Sequence, residues 1–106
     1  MKYLDDQQVK ELLHDKWHVL IDEIESAIVD ETADMVPKIY LQAGKAGDYR
    51  AMPASLGGYS AIKWIGVFPN NKKSNLPTTL GTVILNDRFT GQPLIAMDCT
   101  TLTAYR

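Results

Sequence analysis

The hydrophobic period of this chain changes once, near Pro37, and that single switch restricts its fold class more than any other feature. Before it, apolar residues recur at helical spacing: Val9, Leu12 and Leu13 in one segment, then Trp17, Leu20, Ile21, Ile24, Ala27 and Ile28 as one stripe. Asp22, Glu23, Glu25 and Asp30 lie largely off that stripe. Residues 5–34 therefore read as helical. Asp5 with Gln8 three residues later has the form of a capping box, and Asp15 is placed to cap a second helix. The residue before a proline is pushed toward extended conformations, so Pro37 closes helical territory.

Beyond Pro37 the pattern is that of strands. Lys38–Gln42 is a short one, closed by the turn Gly44-Lys45-Ala46-Gly47, and Asp48–Pro53 continues extended. Tyr59–Phe68 is apolar on both faces, with Tyr59, Ala61, Ile65 and Val67 on one and Ile62, Trp64 and Phe68 on the other. Such a strand is expected to be covered on both sides. Pro69–Pro77 reads as a polar loop. Gly81–Asp87 and Pro93–Cys99 alternate around Arg88-Phe89-Thr90-Gly91-Gln92, a hairpin connection. Thr101–Arg106 begins a helix, capped by Thr100 or Thr101. Helices followed by strands in blocks give an α+β fold, with two N-terminal helices on a mainly antiparallel sheet.

Composition excludes several classes. The 106 residues amount to about one domain. A net charge of −2 gives no field that gathers nucleic acid or an anionic membrane. The uncharged run Ala51–Ile62 contains a proline and two glycines and is too short to span a bilayer. The first six residues lack the apolar stretch of a signal peptide. Cys99 stands alone, so no disulfide forms within the chain. Together these give the expectation of a reduced, cytoplasmic, globular domain.

Lys63 is the residue with the most chemical content. It stands mid-strand among apolar neighbours, where a charged group costs free energy unless it is paired or put to use. Desolvation or nearby cations fit a lysine for proton transfer. The structural alternative is a lysine guarding an exposed sheet edge. Arg50 alternates with Asp48 and Met52 on one strand face and can offer a fork of donors to a carboxylate, although a lone arginine is more often a solvated surface residue. Lys38 carries the same ambiguity. His14, His18 and Asp22 would share a face of one continuous helix, as metal ligands do, but without a further His or Cys nearby they read as exposed polar residues and no metal is expected. Cys99 has no Cys-His partnership for nucleophilic catalysis. No G-x-G-x-x-G occurs, and Gly57-Gly58 does not precede a helix, so no dinucleotide cradle is expected here.

From Lys38 onward the residues resemble the N-terminal domain of the ornithine cyclodeaminase/mu-crystallin family. The match runs through Pro37-Lys38-Ile39-Tyr40-Leu41, Arg50-Ala51-Met52-Pro53-Ala54, and Ile62-Lys63-Trp64 leading to Pro69-Asn70-Asn71. It continues through Leu76-Pro77-Thr78, Thr90-Gly91-Gln92-Pro93-Leu94, Met97-Asp98 and Leu102-Thr103-Ala104-Tyr105-Arg106. Pro-Lys-x-Tyr-Leu and Arg-Ala-Met-Pro look most like the archaeal-type alanine dehydrogenases. Asn75 departs from the family, which commonly carries glycine before Leu-Pro.

The resemblance implies a substrate-binding and dimerisation domain, its sheet forming a barrel-like closure across a homodimer, truncated before a Rossmann domain that would hold NAD(H) or NADP(H). It implies Lys63 as the acid–base group. It also implies Lys38, Arg50, Met52 and Arg106 as substrate contacts, with Arg106 reaching either the substrate carboxylate or the cofactor phosphates. The substrate would be a small amino or keto acid, handled by an alanine dehydrogenase-like oxidoreductase. An ornithine cyclodeaminase and a non-enzymatic mu-crystallin-like binding or dimerisation protein are the alternatives. Retention of four cations at family site positions argues against the last.

Overall fold

The computed structural model describes residues 1–105. Seven strands, β1 (Lys2–Leu4), β2 (Asp34–Met35), β3 (Ile39–Ala43), β4 (Gly47–Leu56), β5 (Tyr59–Val67), β6 (Thr79–Asp87) and β7 (Pro93–Asp98), form one sheet. Its order is β1-β7-β6-β5-β4-β2, with β3 also paired to β4. Helices α1 (Asp6–Leu13), α2 (Trp17–Val29) and α3 (Thr100–Tyr105) and a 3-10 turn (Pro69–Ser74) complete it. The expected α+β class and mainly antiparallel sheet are found. The sheet of the single chain is open, not closed into a barrel.

The capping box forms as the sequence indicates. Asp5 accepts from the Gln8 backbone N–H at 2.8 Å while the Gln8 side chain accepts from the Asp5 N–H at 2.9 Å. The helical reading of residues 5–34 is otherwise corrected in three places. Asp15 does not cap α2: it sits at φ 58°, and the cap position is Lys16, which makes no side-chain cap bond. A residue at positive φ reverses the chain locally and separates α1 from α2, the two N-terminal helices that were expected. Helical structure ends at Val29, where Asp30 bonds both the backbone N–H and the hydroxyl of Thr32. Strand pairing then begins at Asp34, ahead of Pro37.

Of the two N-terminal helices, α1 makes the main described contacts with the sheet. α1 lies against β1 and β7 and meets α3. In α2, Ile21 and Ile28 of the stripe are 52% and 77% exposed while Leu20, Ile24 and Ala27 are half-buried, so the stripe is only partly covered within this chain. The core sits between α1, α3 and one sheet face, where Leu4, Val9, Ile65 and Cys99 are buried.

Two elements carry too little pattern to be read from sequence. β1 is three residues long and pairs in parallel with β7, Lys2 opposite Ile95. β2 is two residues long, and with β3 it forms an interrupted edge along β4. The interruption falls opposite Met52 and Pro53, between the pairs Ile39–Ala51 and Met35–Ala54. Pro53 and Pro37 each lack an N–H to give the ladder, which accounts for a gap at that place. At the other end, α3 begins after Cys99 rather than a threonine, and Asp98 accepts from the Thr100 N–H at 2.8 Å.

The polar loop contains the 3-10 turn, ended by Asn75 at φ 58°. Asparagine is among the few side chains that tolerate this left-handed conformation, so the turn that favours glycine is made without it.

Candidate active site

Register places the expected residues. Arg50 pairs with Ile65 and Met52 with Lys63 across β4 and β5, and Tyr40 pairs with Arg50 across β3 and β4. Side chains alternate along strands, so Tyr40, Arg50, Met52 and Lys63 share one face. Lys63 also lies opposite Val83 of β6, and Val83 lies opposite Met97 of β7, so the lysine is in the interior of the sheet. Its Nζ is shielded from solvent although the residue as a whole is only half-buried. The reading of Lys63 as a guard on a sheet edge is thereby excluded.

Arg50 is held from the side. Its Nε donates to Asp48 Oδ1 at 3.0 Å, in an ion pair whose side chains are 33% and 27% exposed. That bond raises the arginine pKa further above its ordinary value. The guanidinium carbon lies 5.2 Å from the centroid of the Tyr40 ring, and Lys38 Nζ lies 5.9 Å from the same centroid. Arg50, Lys38 and Tyr40 thus form a cationic group bordering the Lys63 strand. The sequence indicated Asp48 and Arg50 on a common face; it gave no pointer to the Tyr40 contact, which depends on the β3–β4 register.

A cleft of about 210 Å³ opens near the sheet interior, lined by Thr79, Gly81, Cys99, Thr100 and Thr103. Thr79 and Gly81 pair with Val67 and Ile65 and so lie on the Lys63 face. Burial pushes the Cys99 thiol up, against smaller downward pulls from the Thr103 hydroxyl and the charge of Lys63. A thiol held up in this way is a weaker nucleophile. A larger cleft of about 440 Å³ lies along β2, lined by residues such as Asp34, Ser55 and Ser60, and none of the expected site residues borders it. Arg106 lies outside the described residues.

The metal alternative has no support in the geometry. His14 ends α1 and its ring is exposed beside Asp15, while His18 belongs to α2. Among the described residues no group of three or more His, Cys, Asp or Glu is arranged to hold a metal. The glycines at positive φ, Gly44, Gly57 and Gly91, follow strand ends in the β-connections rather than open helices. They do not make the glycine-rich strand-to-helix cradle that a dinucleotide phosphate needs. No described helix is long and apolar enough to cross a membrane.

The opposite sheet face is apolar and open. Ile39, Leu41, Tyr49, Trp64 and Leu80 share it by register. Tyr49 stacks on Trp64 with centroids 4.9 Å apart, and Phe68 meets Tyr49 edge-on at 5.3 Å. Trp64 and Leu80 are each 40% exposed and Ile39 and Leu41 each 56%. The expectation that β5 is covered on both sides therefore fails within one chain, where Trp64 stays 40% exposed on this face.

Residues 3–106 match the ornithine cyclodeaminase/mu-crystallin family. Alanine dehydrogenase from Archaeoglobus fulgidus is 49% identical over 74 residues, which are 70% of this chain and 23% of that protein. Ornithine cyclodeaminase from Agrobacterium fabrum is 33% identical over 76 residues, 72% of this chain and 21% of the enzyme. Among solved structures, an archaeal alanine dehydrogenase dimer with bound NAD superposes with a TM-score of 0.89 at 37% identity, over 100% of this chain and 33% of that one. Thermococcus litoralis Δ1-pyrroline-2-carboxylate reductase, in complex with NADH and L-proline, gives 0.89 at 28% identity, over 99% of this chain and 34% of that one. The chain spans about a third of the length of the solved relatives.

Proposed function

Because the chain belongs to the ornithine cyclodeaminase/mu-crystallin family, we propose that it is the substrate-binding and dimer-forming domain of a nicotinamide-dependent amino-acid or imino-acid oxidoreductase of the alanine dehydrogenase type. The observation that carries this reading is the register that sets Arg50, Met52 and Lys63 on one face, with Lys63 in the sheet interior. Arg50 and Lys38 attract a carboxylate, Met52 gives an apolar wall beside its α-substituent, and Lys63 moves a proton at the amino or oxo group. Arg106, if it acts as the resemblance implies, would add a further cation to the substrate carboxylate or the cofactor phosphates. The cofactor of the whole enzyme on this reading is NAD(H) or NADP(H), in line with the NAD and NADH bound in the solved relatives.

A small 2-oxo or 2-amino acid fits these groups: one carboxylate for the cations and one polar group at the adjacent carbon for Lys63. The 49% identity to an alanine dehydrogenase over 74 residues, against 33% to an ornithine cyclodeaminase over 76, favours the dehydrogenase reading. The exposed apolar face is the natural surface for a second copy, since such patches mark interfaces.

The test is steady-state turnover of the full enzyme with pyruvate, ammonia and NADH or NADPH, beside release of ammonia from L-ornithine. Reductive amination of pyruvate supports the reading. Ammonia release without it would replace the reading by the cyclodeaminase, and neither activity would overturn both.

A further inference from the structure

We infer that Asp48 and Tyr40 are positioning residues for Arg50, together dictating that a substrate carboxylate meets the end of its guanidinium rather than its side. The inference rests on the reading of Arg50 as a carboxylate-binding residue and specifies how that binding is made.

A guanidinium offers a carboxylate two forks, one made by Nε with a terminal nitrogen and one made by the two terminal nitrogens. In this structure the first is taken: Asp48 Oδ1 accepts from Nε at 3.0 Å. Asp48 is two residues away on the same strand and the same face, so the bond needs no long loop to keep it. The Tyr40 ring lies 5.2 Å from the guanidinium carbon, a distance for cation–π contact. Tyr40 is the direct register partner of Arg50, so this contact too is fixed by the ladder. Among the described residues, no hydrogen bond engages the terminal nitrogens of Arg50. Nε held by Asp48 and the Tyr40 ring 5.2 Å from the guanidinium carbon leave the terminal fork as the edge that remains for a ligand.

The arrangement resolves an apparent conflict. A carboxylate at an anion site repels the substrate, and Asp48 offsets part of the charge of Lys38, Arg50 and Lys63. If charge alone governed binding, removing Asp48 would tighten it. If orientation governs, removing Asp48 weakens binding, because a loose guanidinium must be ordered when the ligand arrives. The two accounts predict opposite signs.

The experiment measures KM and kcat of the full enzyme for whichever of pyruvate with ammonia or L-ornithine the wild type turns over, with the KM for nicotinamide cofactor as a check on integrity. The expected result is that Asp48→Ala raises the substrate KM about tenfold, equivalent to about 1.4 kcal/mol, with kcat changed by less than about twofold and the cofactor KM unmoved. Asp48→Asn keeps an acceptor for Nε and recovers most of that loss, even though it also removes the negative charge. Tyr40→Ala raises KM in the same way and Tyr40→Phe, which keeps the ring, does not. An unchanged or lowered KM in Asp48→Ala, beside a raised one in Arg50→Ala, overturns this inference and leaves the carboxylate-binding role of Arg50 standing. A fall in kcat together with a changed cofactor KM assigns Asp48 a general structural role and also overturns it. An unmoved KM in Arg50→Ala removes the role of Arg50 itself, and a wild type that turns over neither substrate overturns the functional reading with it.

Discussion

Thr101 and Asp6, ninety-five residues apart, are joined by two hydrogen bonds to the same carboxylate oxygen: the Thr101 hydroxyl donates to Asp6 Oδ1 at 2.6 Å and its backbone N–H at 3.3 Å. Asp6 is the first residue of α1 and Thr101 the second of α3, so this contact ties the two ends of the described chain above the sheet face that carries Lys63. The Thr101 bond, with help from Lys10 at 3.1 Å, holds the Asp6 carboxyl below its ordinary value. Asp30 and Asp87 are lowered likewise, chiefly by bonds from Thr32 and from the Thr90 backbone N–H.

The sign of the pH dependence follows. A carboxyl whose pKa is depressed by folding adds stability above its unfolded pKa of about 3.9, and that stability is lost as pH falls through the lower folded value. The urea midpoint is expected to decline below about pH 4, with a shallower decline in Thr101→Val, because that variant loses the hydroxyl bond to Asp6. Identical pH profiles for the two proteins would show that the bond contributes nothing to the linkage.

Gly81 lets the start of α3 approach the sheet. A Cβ there would stand 2.6 Å from the Trp64 carbonyl oxygen, 2.7 Å from Cys99 Sγ and 2.9 Å from Ile65 Cγ1. One of the three is rigid backbone, so Gly81→Ala is expected to destabilise the fold by about 1–3 kcal/mol, as overpacking does. A thermal midpoint equal to that of the wild type would refute the close packing of Cys99 on β6.

The open face predicts assembly. Trp64→Glu puts a charge at the centre of the apolar patch formed with Tyr49 and Leu80 and is expected to turn a dimer into a monomer. Sedimentation at tens of micromolar distinguishes the two, a range that corresponds to association roughly at or tighter than 6 kcal/mol. A wild-type monomer at that concentration would remove the dimer from the proposed function.

What the sequence could say about this fold depended on segment length. The five-residue and longer strands and both main helices carry enough apolar repeats to fix a period, and Pro37 marks their boundary within a few residues. β1 and β2, with three and two residues, are held by their partners rather than by their own pattern. Asp15 reads from sequence as a cap because a residue at positive φ and a helix cap draw on the same polar residue types. For the site, the alternation of Asp48, Arg50 and Met52 was legible from a strand period of two. Their alignment with Tyr40 and Lys63 was not, because register between strands is a tertiary property. The exposure of α2 and of the Trp64 face was hidden for a related reason: an apolar stripe shows that a surface is suited to burial and not what buries it.

Lys63 carries the sharpest prediction. It faces the same way as Arg50 and is displaced from it by two positions along the sheet, across the Met52–Lys63 pair. Diagonal neighbours of this kind are roughly 7–8 Å apart, somewhat less at Cβ. That offset suits a small acid whose carboxylate is held at Arg50 while the polar group on its adjacent carbon reaches the end of the lysine. A proton supplied or taken at that group is worth about 10²–10⁴-fold in rate. Lys63→Met keeps the apolar stem within the sheet and removes the amine. It is therefore expected to lower kcat by about that factor while the substrate KM moves by less than about threefold, since the carboxylate contacts remain. Arg50→Lys should do the reverse, raising KM roughly 10–100-fold for the loss of a charge-assisted fork, with kcat less affected. Steady-state kinetics of the two variants on one substrate separates the roles. Near-normal kcat in Lys63→Met, in protein whose cofactor KM is unchanged, would mean that the proton comes from elsewhere.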